Sequence, residues 1–230
     1  MSIKEKVISV SAAAILTVVL TGPSLAAVIP FTDLGEISAQ EEILSLQERG
    51  YVHGVGNDLF APAKTIEAGE GIQLIVNALG LNLDSIRFIK EPKATDYFSK
   101  ANNDAWYAKA LIVASVNGLE LPADLDPGRK WTREEFTYQL VKGIEKQGNL
   151  PLLNLIPVEI ADGEQLNILY SGAIQRALVY GIISLDSEEK LNPRAEVTRA
   201  EAAEQIYDAL EYLKTHSAPA VNPESKTVEE

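Results

Sequence analysis

The chain has 230 residues, of which 46% are hydrophobic and 23% charged, and its formal net charge is −13 at pH 7. This balance is that of a globular protein, and the excess of carboxylates disfavours nucleic acid and anionic membrane as general partners. An anionic partner could bind only through local clusters of arginine and lysine. The chain contains no cysteine, which excludes disulfides and a lipid-modified cysteine anchor.

The first 26 residues have the pattern of a secretory signal. Lys4 and Lys6 precede an apolar run over 7–20, and Ser24-Leu25-Ala26 fits a small-x-small cleavage site. The run is too short for a comfortable membrane span. We therefore predict a signal peptide over 1–26 and no transmembrane segment in the mature chain. The alternative is an uncleaved N-terminal anchor.

The first predicted unit covers 31–80 and opens at Phe31-Thr32-Asp33. A helix is predicted over 38–49, with Gly50 as its stop. A second helix is predicted over 67–79, with apolar residues at three-to-four spacing. It begins at Ile66-Glu67-Ala68-Gly69-Glu70, a weak form of a capped start. Residues 81–96 are interpreted as a linker.

The second predicted unit covers 97–146 and opens at Phe98-Ser99-Lys100. Its first helix is expected to end at Gly118. Its second helix begins with a capping box, in which Thr132 and Glu135 each satisfy a backbone N–H of the other. Trp131, just before the cap, is placed to form a hydrophobic staple. Residues 147–159 read as a second linker.

The third predicted unit covers 160–214 and opens at Ile160-Ala161-Asp162. Gly181 is expected to end its first helix. Thr198 and Glu201 form the clearest capping box of the chain, and an apolar stripe follows them to about residue 214. Residues 215–230 are rich in Pro, Ser and Glu, which predicts a disordered acidic tail.

The three units repeat with a nearly constant period. Ile66, Trp131 and Val197 lie 65 and 66 residues apart, and each follows a proline by four residues. A two-helix unit of this size is marginal alone. Three units can share one core by bringing their capped helices together. The sequence therefore predicts an array.

The units resemble the S-layer homology (SLH) family. That family's unit reads Phe-Ser-Asp near its start, Trp-Ala eight residues on, a Gly-Ile or Gly-Leu helix end, Phe-x-Pro and then Thr-Arg-Ala-Glu. The matching residues are Phe98, Trp106, Gly118-Leu119, Gly181-Ile182, Thr132-Arg133-Glu134-Glu135 with one change, and Thr198-Arg199-Ala200-Glu201 in full. The resemblance covers about residues 31–213.

The resemblance implies an all-α fold in which three helix-loop-helix repeats form a pseudo-threefold assembly around a central three-helix bundle. It also implies attachment of an exported protein to the bacterial envelope, by binding a secondary cell-wall polysaccharide, often pyruvylated, in grooves between repeats. Carried over by position, the resemblance implies that Arg133 and Arg199 bind the ketal carboxylate and that Trp106 stacks on a sugar. It implies that Gly118 and Gly181 allow a sugar to approach the backbone closely. The implied acceptors for sugar hydroxyls are Asp33, Ser99 and Asp162.

Several positions depart from the family pattern. Ala68 stands where the first unit should have its arginine, and Lys100 replaces the opening aspartate of the second unit. Trp106 has no counterpart in the third unit, where Leu169 or Tyr170 lies nearby. At most two grooves should therefore be competent, and the groove that depends on position 68 should not be.

Each nominated residue also has a structural interpretation. Thr132, Glu135, Thr198 and Glu201 are read as helix caps, so their carboxylates are not assigned to catalysis. Trp131 is read as a staple, whereas core packing and ligand contact are equally open for Trp106. His53 and His216 are too isolated to indicate a metal site or a general base.

Three functions follow for testing. The first is a secreted cell-wall or S-layer protein that binds a secondary cell-wall polysaccharide or another peptidoglycan-linked polymer. The second is a protein-interaction or structural envelope module, bound to another surface protein, whose repeats have lost glycan binding. The third is a wall hydrolase, but the sequence has no nucleophile–base motif, phosphate loop or metal-ligand spacing. We therefore predict no enzyme, no cofactor and no nucleic-acid partner.

Overall fold

The structure is a computed structural model that describes residues 30–35, 37–150 and 156–216. Its helices are α1 (Gln40–Glu48), α2 (Ala68–Ala78), α3 (Ala108–Val116), α4 (Arg133–Gly148), α5 (Ile168–Val179) and α6 (Arg199–His216), with short 3₁₀ turns at Ala94–Asp96 and Gly163–Gln165. Extended pairing within the described part of the chain is limited to isolated bridges. The predicted all-α fold is confirmed.

Two helices extend past the residues at which their units are predicted to end. Helix α6 continues through His216, whose ring stacks on that of Tyr212 at 4.0 Å. Helix α4 continues to Gly148 and ends where Asn149 adopts a left-handed conformation with φ 44°. Asparagine tolerates that conformation better than most residues. The predicted signal peptide and residues 217–230 lie outside the described residues.

Helices α2, α4 and α6 form a parallel central bundle whose N-terminal ends meet in a closed ring. The residues just before the three caps donate backbone hydrogen bonds to one another in turn: Ile66 to Val197 at 3.0 Å, Val197 to Trp131 at 3.0 Å and Trp131 to Ile66 at 3.2 Å. All three side chains are buried. A ring in which each position both donates and accepts places the three units around one pseudo-threefold axis.

Each bundle helix is also capped by the loop of the next unit. The first two N–H groups of a helix have no partner within the helix. Here they donate to the proline of a neighbouring loop and to the residue two positions after it. The bonds are Ala68 to Arg129 and Gly69 to Pro127, Arg133 to Ala195 and Glu134 to Pro193, and Arg199 to Lys64 and Ala200 to Pro62, all between 2.8 and 3.0 Å.

The first helix of each unit packs outside the bundle, against the second helix of a different unit. Helix α3 lies on α2, α5 lies on α4, and α1 closes the assembly by lying on α6. The repeats are therefore joined by exchange of their first helices around the ring. The unit boundaries themselves stay a prediction.

The core is continuous through all of these helices. Trp131 is 1% exposed, meets Phe136 edge to face at 6.2 Å and lies over Gly71, where a Cβ atom would stand 2.6 Å from the indole. This confirms the interpretation of Trp131 as a staple rather than a sugar platform. Among the described residues, no helix combines the length and the hydropathy needed to cross a membrane.

Candidate functional site

Three seams run between the units, and the first residue of a bundle helix lies in each. Ala68 lies in the first seam, where α2 meets the loop of the second unit. Arg133 lies in the second seam, where α4 meets the loop of the third unit. Arg199 lies in the third seam, where α6 meets the loop of the first unit and closes the ring. Both arginines therefore lie between units.

In the second seam, Arg133 is tied to its neighbours but stays accessible. Its Nη1 group donates to the backbone oxygen of Leu191, and its Nη2 group donates to Glu201 Oε1 at 2.6 Å. The side chain is 21% exposed. A cavity of about 300 Å³ opens beside it, and Gly181 also lines this cavity. Two of the nominated residues thus share one cavity.

That cavity carries more carboxylates than cations. Arg133 and Lys190 supply positive charge, and the acidic lining residues are Asp186, Glu201, Glu204 and Asp208. Burial, with the neighbouring carboxylates of Glu204 and Glu42, raises the pKa of Asp208 to about 6. Burial likewise raises the pKa of Glu204. The cavity therefore becomes less negative between neutral and mildly acidic pH.

In the third seam, Arg199 is buried and only 8% exposed. Its Nε donates to the oxygen of Phe60 at 2.7 Å and its Nη2 to the oxygen of His53 at 2.8 Å, while the guanidinium lies 4.6 Å over the Phe60 ring. Burial lowers its pKa from the usual value, partly offset by the charges of Glu70 and Asp33. These contacts hold a loop, and they leave little of the guanidinium for a ligand.

The first seam has alanine at the arginine position, but Arg129 supplies a cation there. Ala68 is fully buried there. Arg129, two residues before the staple, forms a bidentate pair with Glu135 at 2.6 and 2.8 Å. The pair and the N–H of Thr132 outweigh burial and hold the pKa of Glu135 below its usual value.

Gly118, just after α3, has φ +81°, and the Lys146 ammonium occupies the place where a Cβ atom would stand.

Each capping-box glutamate is thereby paired with one cation. Glu70 is bonded to Lys64 at 2.9 Å, Glu135 to Arg129 and Glu201 to Arg133. Lys64, Arg129 and Ala195 are equivalent positions of the repeat. Because alanine supplies no charge in the third unit, Arg133 of the preceding unit takes the glutamate instead. Sequence reasoning missed Arg129, although its 65-residue spacing from Lys64 was visible.

The opening aspartates bond to backbone. Asp33 accepts from the N–H groups of Phe60 and Ala61 at 2.8 and 2.7 Å, and Asp162 accepts from those of Leu191 and Asn192, both at 2.8 Å. Burial opposes ionisation of Asp33, but the two backbone donors prevail and lower its pKa. Each aspartate thus clamps a loop: Asp33 fixes the loop whose carbonyl groups bind Arg199, and Asp162 fixes the loop whose carbonyl groups bind Arg133. Contact of either carboxylate with a sugar stays a prediction.

Ser99 and Trp106 lie on the surface of the second unit. The Ser99 hydroxyl donates to the oxygen of Ala123 at 3.3 Å, and the neighbouring Lys100 provides no clamp. The Trp106 side chain is 59% exposed and meets Tyr107 edge to face at 5.5 Å. Its exposure excludes core packing and leaves the ring free to stack on a ligand. In the third unit Leu169, 75% exposed, lies at the corresponding place.

Glu134 is a second residue that sequence reasoning missed. It is 7% exposed, and its Oε2 accepts from the N–H of Asn167, just before α5. Burial raises its pKa. It joins the second and third units but lines no described cavity. No group of three or more metal-ligand side chains is placed to hold a metal ion anywhere in residues 30–35, 37–150 and 156–216.

Comparison with known proteins gives a consistent result. The family model of the S-layer homology domain matches residues 30–66 and 168–203, in the first and third units. Among curated relatives, the chain is 29% identical to the surface-layer 125 kDa protein of Lysinibacillus sphaericus over 78% of its length and 15% of the relative.

Two further relatives carry enzyme names. Exoglucanase XynX of Acetivibrio thermocellus is 28% identical over 80% of this chain and 16% of the relative. Amylopullulanase of Thermoanaerobacterium thermosulfurigenes is 26% identical over 79% of this chain and 9% of the relative. The chain thus spans less than about a fifth of the length of these curated relatives, while they match most of it.

Proposed function

Because this chain belongs to the S-layer homology family and is thereby a protein of the cell envelope, we propose that it binds a secondary cell-wall polysaccharide through the second seam. The observation that carries the proposal is the cavity that both Arg133 and Gly181 line. Its volume of about 300 Å³ lies at the lower end of the usual range for ligand pockets. Attachment through it is non-covalent.

The preferred ligand carries a carboxylate, as a pyruvylated sugar does. Arg133 can offer two parallel N–H groups to a carboxylate, and such charge-assisted pairs are among the strongest hydrogen bonds in proteins. Its Nη2 is occupied by Glu201 in this structure. A bound carboxylate therefore replaces Glu201 as the partner of Arg133, and Lys190 adds a second cation nearby.

Gly181 leaves open space in the lining of the cavity. Its φ is +71°, and no atom lies within 4 Å of where a Cβ atom would stand. A sugar can thus approach the backbone there. In the third seam Arg199 is buried, and its contacts are those of a structural group. We propose that only Arg133 of the two arginines binds the wall polymer.

Sedimentation with purified cell walls tests the proposal. We expect the protein to pellet with walls and the Arg133→Ala variant to lose this binding by tenfold or more. Arg129→Ala is the matched control, because Arg129 pairs with the equivalent glutamate but does not line the cavity. Equal binding to walls stripped of their polysaccharide would rule the glycan out.

A second variant tests the competition inside the cavity. Glutamine in place of Glu201 can still accept the Thr198 N–H through its amide oxygen, so the capping box survives. It loses the negative charge that holds Arg133. If the ligand is anionic, Glu201→Gln should bind several times more tightly. Unchanged or weaker binding would contradict a carboxylate ligand on Arg133.

One observation supports a different function. Four carboxylates and two cations line the cavity, so a cationic segment of another envelope protein is a second candidate. In that case, partner capture would persist without wall polysaccharide, and Glu204→Gln with Asp208→Asn would weaken it. The same double variant should strengthen binding of an anionic glycan, so the two functions predict opposite signs.

We propose no enzymatic activity for this chain. The enzyme names of two relatives belong to proteins of which the matched part is a small share. In the second seam Glu201 pairs with Arg133, Asp186 accepts backbone N–H groups, and the cap glutamates serve the helix starts. Release of labelled fragments from cell walls by the purified protein would contradict this.

A further inference from the structure

Residues 85–93 form an exposed segment, called the protruding segment below, whose net charge is positive although that of the chain is negative. Its sequence is Ser-Ile-Arg-Phe-Ile-Lys-Glu-Pro-Lys, with three cations and one carboxylate. The whole chain carries −13. A local cluster of this kind is what an otherwise acidic protein needs in order to bind an anionic surface.

The tip of the segment is apolar and exposed. Ile89 is 109% exposed, and Phe88 beside it is 37% exposed. Arg87 and Lys90 flank the pair directly, and Lys93 follows. Lys90 has one distant partner, Asp96 at 3.7 Å, while Arg87 and Lys93 form no ion pair with any residue the structure describes. The cations are available, Ile89 is fully exposed, and Phe88 is partly covered.

The base of the segment is held firmly. Leu81 and Leu83 pack against the core, and the Asn117 side chain donates to the oxygen of Asn82 at 2.9 Å. On the other side Ala94 is buried. A short projection with fixed ends presents its tip without the entropy that ordering a free chain would cost.

Its position in the fold separates it from the second seam. The segment leaves the end of α2 and is anchored by the residue that caps the end of α3. Its start therefore lies at the C-terminal end of the bundle, whereas Arg133 is the first residue of α4 and lies beside the ring at the N-terminal end. No residue of the segment lines the cavity of the second seam.

We propose that residues 85–93 bind the surface of a membrane that contains anionic lipids. Phe88 and Ile89 enter the boundary between headgroups and acyl chains, and Arg87, Lys90 and Lys93 bind lipid phosphates. A lipid surface is the partner that suits both features, because it offers an apolar layer directly beneath an anionic one. An anionic polymer in water would satisfy the cations but leave Ile89 exposed.

A second exposed apolar pair provides the contrast. Ile168 and Leu169, at the start of α5, are 83% and 75% exposed. The nearest charged residue before them in sequence is Glu164, and no lysine or arginine lies within five residues on either side. Exposure is therefore common to both places, and of the two only the protruding segment has cations next to its apolar pair in the sequence.

The direct test is a local fluorescent probe in the full chain. Phe88→Trp is mixed with vesicles of phosphatidylcholine with 30% phosphatidylglycerol, some carrying brominated acyl chains. We expect a blue-shifted emission and quenching by the brominated lipid. Ile168→Trp should show neither. The chain already contains Trp106 and Trp131, so the signal of position 88 is the difference in emission between the Phe88→Trp variant and the unmodified protein under the same conditions. No additional blue shift or quenching in the Phe88→Trp variant would overturn the proposal.

Co-sedimentation with the same vesicles gives the magnitude. One kcal/mol for each cation near an anionic surface corresponds to about a fivefold change in affinity. Arg87→Gln with Lys90→Gln should therefore lose about 25-fold, and Phe88→Ser with Ile89→Ser should lose tenfold or more. Ile168→Ser with Leu169→Ser should lose nothing. Equal losses in this control would overturn the proposal.

Cell-wall sedimentation separates the two ends of the molecule. Variants of 87–90 should keep their binding to lipid-free walls, and Arg133→Ala should keep its binding to vesicles. If the variants of 87–90 instead lose wall binding while vesicles are never bound, the segment binds an anionic wall polymer and the lipid proposal is wrong. Neither result depends on the outcome for Arg133.

Discussion

The second and third seams carry arginine at the same position of the repeat, yet the two side chains are in different states. Arg199 is 8% exposed and bonded to two carbonyl groups across a phenylalanine ring. Arg133 is half-buried, pairs with a carboxylate and lines a cavity. One motif therefore serves the fold in one seam and leaves a binding group available in the other. The residue type is set by the motif, whereas its role is set by the loop it meets.

The largest expected effect is on the stability conferred by Arg199. Arg199→Ala leaves the backbone oxygens of Phe60 and His53 without their donors and should lower the free energy of unfolding by about 3 kcal/mol. Arg133→Ala removes a partly exposed pair and should cost under about 1 kcal/mol. Urea denaturation measures both, and Arg199→Lys, which cannot reproduce both bonds, should fall between them. If both alanine variants lose the same free energy of unfolding, the two arginines do not differ in structural role.

The next effect concerns the clamp that supports the Arg199 loop. Asp33→Ala removes two charge-assisted bonds to backbone and should cost about 2 kcal/mol at pH 7. Because the pKa of Asp33 is lowered in the folded state, its contribution is complete above the unfolded value near 4 and disappears as the pH falls through the folded value. Denaturation of both proteins at several pH values should therefore show the difference shrinking in acid. Asp33→Asn, which keeps one acceptor oxygen, is the control.

A smaller effect of opposite sign is expected at the second seam. The pKa of Asp208 is raised to about 6, so its ionised form destabilises the folded state above that pH, and the penalty disappears as the pH falls towards 4. Asp208→Asn should therefore stabilise the protein by about 1 kcal/mol at pH 7 and by little at pH 4. Thermal denaturation at both pH values measures this. A variant that is less stable at pH 7 would show that Asp208 has a partner in solution.

The same titration should affect the ligand. Asp208 loses charge as the pH falls from 7.5 to 5.5, because its pKa is raised to about 6, and this weakens the repulsion of an anionic sugar in the cavity. Wall binding should then strengthen by several-fold, and Asp208→Asn should bind well at both pH values. If the affinity of the unmodified protein does not change with pH, the charge of Asp208 does not affect ligand binding.

The smallest effect is expected at the two helix-ending glycines. Gly118 and Gly181 both have positive φ, so alanine at either position costs about 1 kcal/mol. Gly181→Ala also adds a methyl group to the cavity wall, whereas the Cβ atom at 118 meets only the movable Lys146 ammonium. The two variants should thus unfold alike but differ in wall binding. If the two variants bind walls with the same affinity, Gly181 is not part of the binding site.

The repeat could be predicted because its determinants are local. Thr198 and Glu201, three residues apart, bond to each other's backbone within one helical turn, and the spacing of Ile66, Trp131 and Val197 needs no knowledge of contacts. The staple of Trp131 on Phe136 is equally local. The helix ends were less accurate, because a residue such as Asn149 ends a helix only by adopting an uncommon conformation.

The partners of the seam arginines could not be predicted in the same way. Arg199 finds its acceptors 139 and 146 residues earlier in the chain, and Arg133 finds Glu201 68 residues later. The shift of Glu201 from a loop cation to Arg133 depends on Ala195, a position with no motif of its own. The exposed apolar residues of 85–93 were likewise hidden in a segment of mixed composition.

The sequence by itself determined the helices, their capped starts, the period that makes the chain an array and the acidic surface, because each depends on neighbouring residues or on composition. Only the tertiary structure decided that the first helix of a unit packs on the second helix of another, and that one seam arginine is buried while its equivalent faces a cavity. The physical reason is that burial and hydrogen-bond partners belong to pairs of distant segments. A repeated motif gives those segments the same residues but not the same surroundings.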